Sequence, residues 1–301
     1  VIEFSHDEKA NSLFIGRTNI KTNEKAVRTA RPRREKMIGA VIGDIVGSRF
    51  EFLNYRAKDF RLFERECFPT DDSIMTIAVG KALVECNGNY SDLAAKTVES
   101  MQELGRPYPH CGYGGSFYYW MYSDHPQPYN SFGNGAAMRV GGVGFAARSM
   151  EEVKALSHAV TAVSHNHPEG LKGAESVAMA IFLARQGKTM REIRRFVEQN
   201  YYTINFTLDE IRDTYQFNET CQNTVPQAFE AFFEAKDFED AIRNAISIGG
   251  DSDTLAAITG GMAEAYFGVP QPLREEAEKY LDNDTYRPLY VWLKKFEAKF
   301  G

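Results

Sequence analysis

From Met37 onward the apolar residues return at helical spacing, as in Ile74, Ile77, Ala78, Ala82 and Leu83, or in Val177, Ala180, Ile181 and Ala184. Further amphipathic stretches span 151–164, 189–200, 226–236, 238–247 and 273–281, separated by Gly, Pro, Asn and Asp clusters. Sustained alternation of the kind a strand needs is scarce, and no fixed-period repeat is present. The pattern predicts an all-α fold, a compact many-helix bundle over residues 37–301.

Residues 1–36 break that pattern. They are polar, with short apolar groups only, and end in the basic run Arg28, Arg31, Arg33, Arg34 and Lys36. Nine Lys or Arg face five Asp or Glu there, a net of +4, which leaves −10 for the rest of the chain (26 against 36). This segment reads as an N-terminal arm rather than a domain, either a solvated leader or a segment that docks on a partner. The overall formal charge of −6 lacks the broad basic footprint of a nucleic-acid binder. No run of about 18 apolar residues and no signal-peptide pattern is seen, so the membrane is not expected as a partner. Four cysteines without CxxC spacing suggest neither a zinc site nor a disulfide framework, and a reducing, cytoplasmic location is expected. The chain opens on Val1, so it is expected to start inside a longer gene product or after a tag.

The candidate chemistry lies at two helix starts. Pro69-Thr70-Asp71-Asp72-Ser73 precedes the stretch from Ile74, and Gly249-Gly250-Asp251-Ser252-Asp253-Thr254 opens a helix running from Leu255 to Phe267. Asp, Ser and Thr serve as N-caps, and either cluster alone is explained by capping. Capping needs one side-chain oxygen per helix, however, and each cluster offers three. That much negative charge in one place is costly unless a cation neutralises it. Hard oxygen donors without Cys or His favour Mg²⁺, with Mn²⁺ as a substitute, and two neighbouring ions are plausible for such a set.

The helix after Asp253 carries Ala256, Ala257, Gly260, Gly261, Ala263 and Ala265, and Gly39, Gly43 and Gly47 are spaced by four. Interior glycine costs about 1 kcal/mol relative to alanine, so close packing of a neighbouring helix backbone is expected at both. That approach would bring Asp44 and Glu51 near the acidic clusters. Two glycine-rich segments, Gly112 to Phe117 and Ser131 to Arg139, lack the lysine of a P-loop; they suit a phosphate cradle, and tight turns explain them as well. His165-Asn166-His167-Pro168-Glu169-Gly170 reads as a loop whose histidines make a turn or contact a ligand.

Taken in order, GDIVGSRFE (43–51), TDD (70–72), GYGGSF (112–117), GNGAAMR (133–139), SHNHPEG (164–170) and IGGDSDTLAAITGG (248–261) resemble the ADP-ribosylglycohydrolase family, from about Met37 to about Phe300. The resemblance implies an all-α fold around a dimetal cleft. Two magnesium ions would be held by Thr70, Asp71, Asp72, Asp251, Asp253 and Thr254. Glu51, Asp72 and Asp251 would be the catalytic carboxylates. Ser131, Gly133, Asn134, Gly135 and His165 fall where the family contacts ribose and diphosphate. Gly112, Tyr113, Gly114 and Gly115 fall at the distal ribose. An aromatic that stacks on adenine is expected near Tyr202, Phe206 and Tyr215. Many members place an acidic residue shortly before the GYGG-like loop, whereas Pro109-His110-Cys111 stands here, which weakens the case for a second carboxylate near the leaving group.

The implied activity is Mg-dependent hydrolysis of ADP-ribose from modified protein side chains, with arginine as the expected linkage. A two-metal phosphoesterase and a catalytically silent binding protein are the alternatives. Some bacterial relatives resemble immunity proteins, so residues 1–36 are also read as a docking arm for an ADP-ribosyltransferase toxin.

Overall fold

The computed structural model describes residues 37–301; the arm and its docking role lie outside the described residues. The described residues form fifteen helices and one isolated antiparallel bridge, Gly133 to Thr220, with no strand. In chain order the helices are α1 (Ile38–Gly47), α2 (Asp71–Cys86), α3 (Leu93–Gly105), α4 (Gly115–Tyr122), α5 (Gly135–Met138), α6 (Gly141–Ala146), α7 (Met150–Thr161), α8 (Pro168–Arg185), α9 (Met190–Asn200), α10 (Leu208–Ile211), α11 (Cys221–Phe233), α12 (Phe238–Ile246), α13 (Ser252–Phe267), α14 (Gln271–Leu281) and α15 (Arg287–Phe300). None of them is long and apolar enough to cross a membrane. All four cysteines are buried and free.

The centre is the pair α1 and α13. Every residue of α1 is buried, as is α13 from Ser252 to Ala265, and a helix covered on all sides belongs in a core. A Cβ on Gly43 would lie 2.0 Å from the carbonyl oxygen of Ala256, and one on Gly260 would lie 2.2 Å from that of Gly39. The two backbones therefore touch, which is why glycines sit inside both helices despite their intrinsic cost. Close packing has a directional consequence. The C-terminal end of α1, with Asp44, meets the N-terminal end of α13: a Cβ on Gly47 would stand 2.5 Å from the Asp253 Cα. At the far end, Glu264 of α13 reaches the start of α1, its Oε2 accepting from the backbone N–H groups of Met37 and Gly39 at 2.9 Å each.

Around this pair, α2 packs on α3, α15 and α6, while α8 packs on α7, α6 and α13. The helix expected over 226–236 starts earlier, at Cys221, and holds Pro226 inside it. Proline there suggests a helix start, because its missing N–H is harmless in the first turn. Here Thr220 precedes the helix, and Pro226 comes after one full turn. The His165 to Gly170 loop is shorter than its composition suggests. His167 caps α8, its Nδ1 accepting from Glu169 N at 3.1 Å, and Pro168 is the first helical residue.

Candidate metal centre and cleft

Asp44 organises the site. Its Oδ2 accepts from the backbone N–H of Thr70 (2.9 Å) and of Ser73 (3.0 Å), its Oδ1 accepts from the Thr70 hydroxyl (2.6 Å), and the Ser73 hydroxyl also donates to it. One buried carboxylate of α1 thus satisfies free donors at the start of α2 and fixes where Asp71 and Asp72 begin. Thr70 N-caps the helix, accepting from Asp72 N at 3.2 Å, so its hydroxyl is engaged on both sides. The turn before α13 is held from the other direction. Gly249 and Gly250 have φ of 72° and 75°, a conformation that glycine tolerates. Gly250 N donates to the Asn54 side chain at 3.0 Å, and Arg56 donates to the Ile248 carbonyl at 3.1 Å. The segment that carries Glu51 is therefore tied to the loop that carries Asp251.

These constraints produce two carboxylate triads. Oxygens of Asp44, Asp72 and Asp253 lie within 4.8 Å of one another, as do those of Glu51, Asp251 and Asp253. Asp253 belongs to both. Asp72 Oδ2 accepts from the Thr254 hydroxyl at 3.1 Å, and Asp251 Oδ2 accepts from Asn134 Nδ2 at 2.7 Å. Asp72 Oδ1 is buried with no hydrogen-bond partner. A carboxylate oxygen stripped of water and given no donor costs roughly 1–3 kcal/mol or more, and a hard cation is the partner that an all-oxygen donor set accommodates.

The electrostatics agree with that fit. Burial pushes Asp72 and Asp253 well above the usual carboxylate range, and neighbouring carboxylates push them further, Asp253 acting on Asp72 and Asp251 on Asp253. Asp71 is raised in the same way, by burial and then by Asp253. Asp44 is pushed up to about 6 by burial, held back by its bonds from Ser73 and Thr70. Asp251 is likewise raised to about 6 by burial, and Glu51, half-buried, to about 8 by burial and the charge of Asp253. A cluster that retains protons when bare is one that a divalent cation would deprotonate and occupy.

All members of the triads except the fully buried Asp44 line a cleft of ≈ 430 Å³, a volume suited to a ligand of nucleotide size. Of the expected residues, Glu51, Asp71, Asp72, Asp251, Asp253, Thr254, Gly112, Gly114, Gly115, Ser131, Gly133, Asn134, Gly135 and His165 line it. Gly112, at φ 97°, brings its backbone against Asp71, where a Cβ would sit 2.8 Å from Oδ1. Thr70 stands behind this lining. Tyr113 turns away from it: its ring packs on Phe117, and its hydroxyl donates to the Gly105 carbonyl at 3.4 Å. Within the Ser131 to Arg139 segment the only helix is α5, a single turn of four residues.

None of Tyr202, Phe206 and Tyr215 lines the cleft. Tyr202 is buried near Gly173, and Tyr215 packs behind Gly250 and donates to the Asn223 carbonyl at 2.7 Å. Of the rings that do line it, Phe117, Tyr129, Phe132 and Phe217, the last two are exposed, each at 41%. Phe217 also stacks on the exposed Phe52, with ring centroids 5.9 Å apart. Phe132 and Phe217 are neighbours of the Gly133–Thr220 bridge, a long-range pairing with no local sequence signal beyond exposed aromatics beside glycine.

Comparison with known proteins agrees with the motif order. The profile of the ADP-ribosylglycohydrolase family matches residues 31–296. The chain is similar to "ADP-ribosylhydrolase ARH3" of Xenopus tropicalis, 24% identical over 329 residues, covering 84% of this chain and 93% of that protein. It is also similar to the protein of that name from Homo sapiens, 25% identical over 203 residues, covering 51% of this chain and 56% of that one. In the cattle and human alignments the chain spans little more than half of the relative's length. A solved structure described as an "ADP-ribosylglycohydrolase-related protein complex" superposes with a TM-score of 0.66 at 18% identity, covering 89% of this chain and 98% of that one, which establishes a shared fold.

Proposed function

Because this chain belongs to the ADP-ribosylglycohydrolase family, we propose that it is a magnesium-dependent hydrolase that releases ADP-ribose from modified arginine side chains. The observation that carries the reading is the pair of triads sharing Asp253, one of them holding the orphaned Asp72 Oδ1, in a cleft also lined by the glycine loop and His165. Asp72, Asp251, Asp253 and Glu51 would hold two ions, with Asp71 and Thr254 beside them and Asp44 and Thr70 fixing the frame. Magnesium bound there supplies charge neutralisation and Lewis-acid polarisation, and manganese, with the same preference for oxygen, would substitute.

The chain's own residues supply the rest. With the Gly133 and Asn134 N–H groups already donating to the Ser131 hydroxyl and the Glu219 carbonyl, the Gly135 backbone N–H and the His165 ring bind diphosphate, and Phe132 offers its exposed face to the adenine. Hydrolysis adds the oxygen of water to ribose C1 and a proton to the departing guanidinium nitrogen. Glu51 lines the cleft and accepts no hydrogen bond from the described residues, so we assign it the transfer of that proton. Asp251, held by Asn134 at 2.7 Å, stands beside Glu51 in the same triad. The arginine linkage is supported by the cleft lining near Glu51, where Glu219 and the Phe217 ring stacked on Phe52 suit a planar cation.

Mass spectrometry of arginine- and serine-ADP-ribosylated peptides, incubated with Mg²⁺ or with EDTA, tests the reading. Free ADP-ribose from the arginine peptide in the Mg²⁺ arm alone is expected. AMP as the product would point to a phosphoesterase, and release only from serine would overturn the linkage. The basic segment 1–36 is assigned to a toxin partner on charge, and a catalytically dead variant that still protects against an ADP-ribosyltransferase after deletion of 1–36 would remove that assignment.

A further inference from the structure

Arg139 is 1% exposed, on the inner side of the cleft. Its hydrogen-bond partners are neutral. Nη2 donates to the Ser164 hydroxyl at 2.7 Å and lies 3.3 Å from His165 Nδ1, the guanidinium lies over the Phe117 ring with its carbon 5.3 Å from the centroid, and Nε has no partner. A buried cation held by a hydroxyl, an imidazole and a ring is costly unless the arrangement serves something else.

Hydrogen accounting shows what it serves. A guanidinium only donates, so the Ser164 oxygen accepts from Arg139 and its own hydrogen is free for His165 Nδ1, 2.8 Å away. Nδ1 thus faces two donors and must present its lone pair. The ring proton is then on Nε2, which makes no hydrogen bond among the described residues and lies beside Gly133 and Gly135, 3.5 and 3.4 Å from where their Cβ atoms would be. We propose that Arg139 is a positioning residue: through Ser164 it locks His165 as the neutral Nε2–H tautomer, so that the glycine loop presents a fixed donor to the ligand's diphosphate.

This inference rests on the diphosphate reading only for the identity of the acceptor; the tautomer follows from the geometry. The titratable and charged groups that face the ring are consistent with it. Burial holds His165 well below its ordinary value, and Arg139, opposing a second positive charge on the imidazole, acts in the same direction. Tyr129, with its ring centroid 5.8 Å from that of His165, is pushed up by burial and stays a neutral phenol. The unmet Nε and the charge of Arg139 add a positive potential behind the loop, which favours an anion over a neutral ligand.

The test is long-range ¹H–¹⁵N correlation of imidazole signals in the full chain loaded with Mg²⁺, with His165 assigned by its loss in His165→Gln. The expected wild-type pattern is Nε2–H, unchanged across pH 5.5–8. In Arg139→Met the ring, still buried, is expected to stay uncharged but to populate both tautomers, and ADP-ribose affinity by calorimetry to fall on the order of tenfold, as for the loss of a well-aligned bond to a charged group. Should Arg139→Met not fold, Ser164→Ala removes the nearer donor to Nδ1 and is expected to shift the tautomer in the same sense. A wild-type His165 that titrates, or carries its proton on Nδ1, overturns the proposal, as does a folded variant with an unaltered His165 spectrum. Failure of the wild type to bind ADP-ribose would instead sink the functional reading and leave the tautomer result standing.

Discussion

The two ends of the α1–α13 pair bury carboxylates in different ways. At one end a single carboxylate, Glu264, takes two backbone N–H groups on Oε2 and leaves Oε1 without a partner among the described residues. At the other, Asp44, Asp72, Asp251, Asp253 and Glu51 crowd together, and all but Asp44 line the cleft. Burial raises the affinity for protons at both ends. One proton resolves the strain at Glu264, because a neutral acid keeps one oxygen as acceptor for the helix N-terminus. Several protons would be needed at the other end, and the cleft gives cations access to replace them. A buried acid is therefore not by itself a metal site. What distinguishes the two ends is how many acids share the space and whether an ion can reach them.

The sharpest way to separate the ends is Asp253→Asn, since Asp253 alone belongs to both triads. Turnover is expected to fall by roughly 10³ or more, consistent with removing a ligand shared by two catalytic ions. The thermal stabilisation conferred by Mg²⁺ is expected to vanish, while the metal-free protein melts at the wild-type temperature or above it, because a crowded negative charge is gone. A metal-free variant that melts well below the wild type would mean that Asp253 holds the fold rather than the ion, and the contrast with Glu264 would fail.

Both ends depend on the helix contact between them, and Gly43→Ala breaks it. The added methyl would lie 2.0 Å from the Ala256 carbonyl oxygen, and backbone cannot rotate away as a side chain does. Forced separation of α1 from α13 is expected to cost about 3 kcal/mol of stability in urea unfolding, the upper range for overpacking. Mg²⁺ binding should weaken in parallel, because Asp44 and Asp253 move apart. A variant with wild-type stability would show that the seam is looser than the contact implies.

Much of this seam was legible in the sequence. The spacing of Gly39, Gly43 and Gly47 and the small face of Ala256 and Gly260 predict a close approach, and the structure matches the two faces to each other. The paired TDD and GDSDT clusters mark the acidic residues because each carries more oxygen than capping requires. The role of Asp44 was not legible, although its position was: four hydrogen bonds to Thr70 and Ser73 need a helix crossing that no local pattern encodes. Arg139 reads as the end of a glycine motif, and only the approach of Ser164 and His165, more than twenty positions away, reveals a buried cation with neutral hydrogen-bond partners. Tyr113, also expected at the cleft, is not part of its lining, for a related reason. A tyrosine between glycines points wherever the larger ring packs best, and here Phe117 and Gly105 receive it.

The smallest effect tests the Glu264 end alone. Burial lifts its carboxyl from an ordinary value of 4.5 to about 8, against the lowering influence of the Gly39 N–H. The folded state then keeps a proton that the unfolded chain releases near pH 4.5. Stability from this group is complete below that pH, declines as pH rises, and is gone above about pH 8. Glu264→Gln retains an oxygen to accept from Met37 and Gly39 but cannot ionise. The wild type is therefore expected to lose about 2 kcal/mol relative to the variant between pH 6 and pH 8, measured as the difference between two urea unfolding series in EDTA. Because both proteins carry the same acidic cluster, its own titration cancels in that difference. Parallel curves would mean that Glu264 is already ionised at pH 6 and that Arg274, which acts to lower it, outweighs burial. In that case the two ends would differ in whether burial prevails over the opposing influences and not merely in the number of acids they hold.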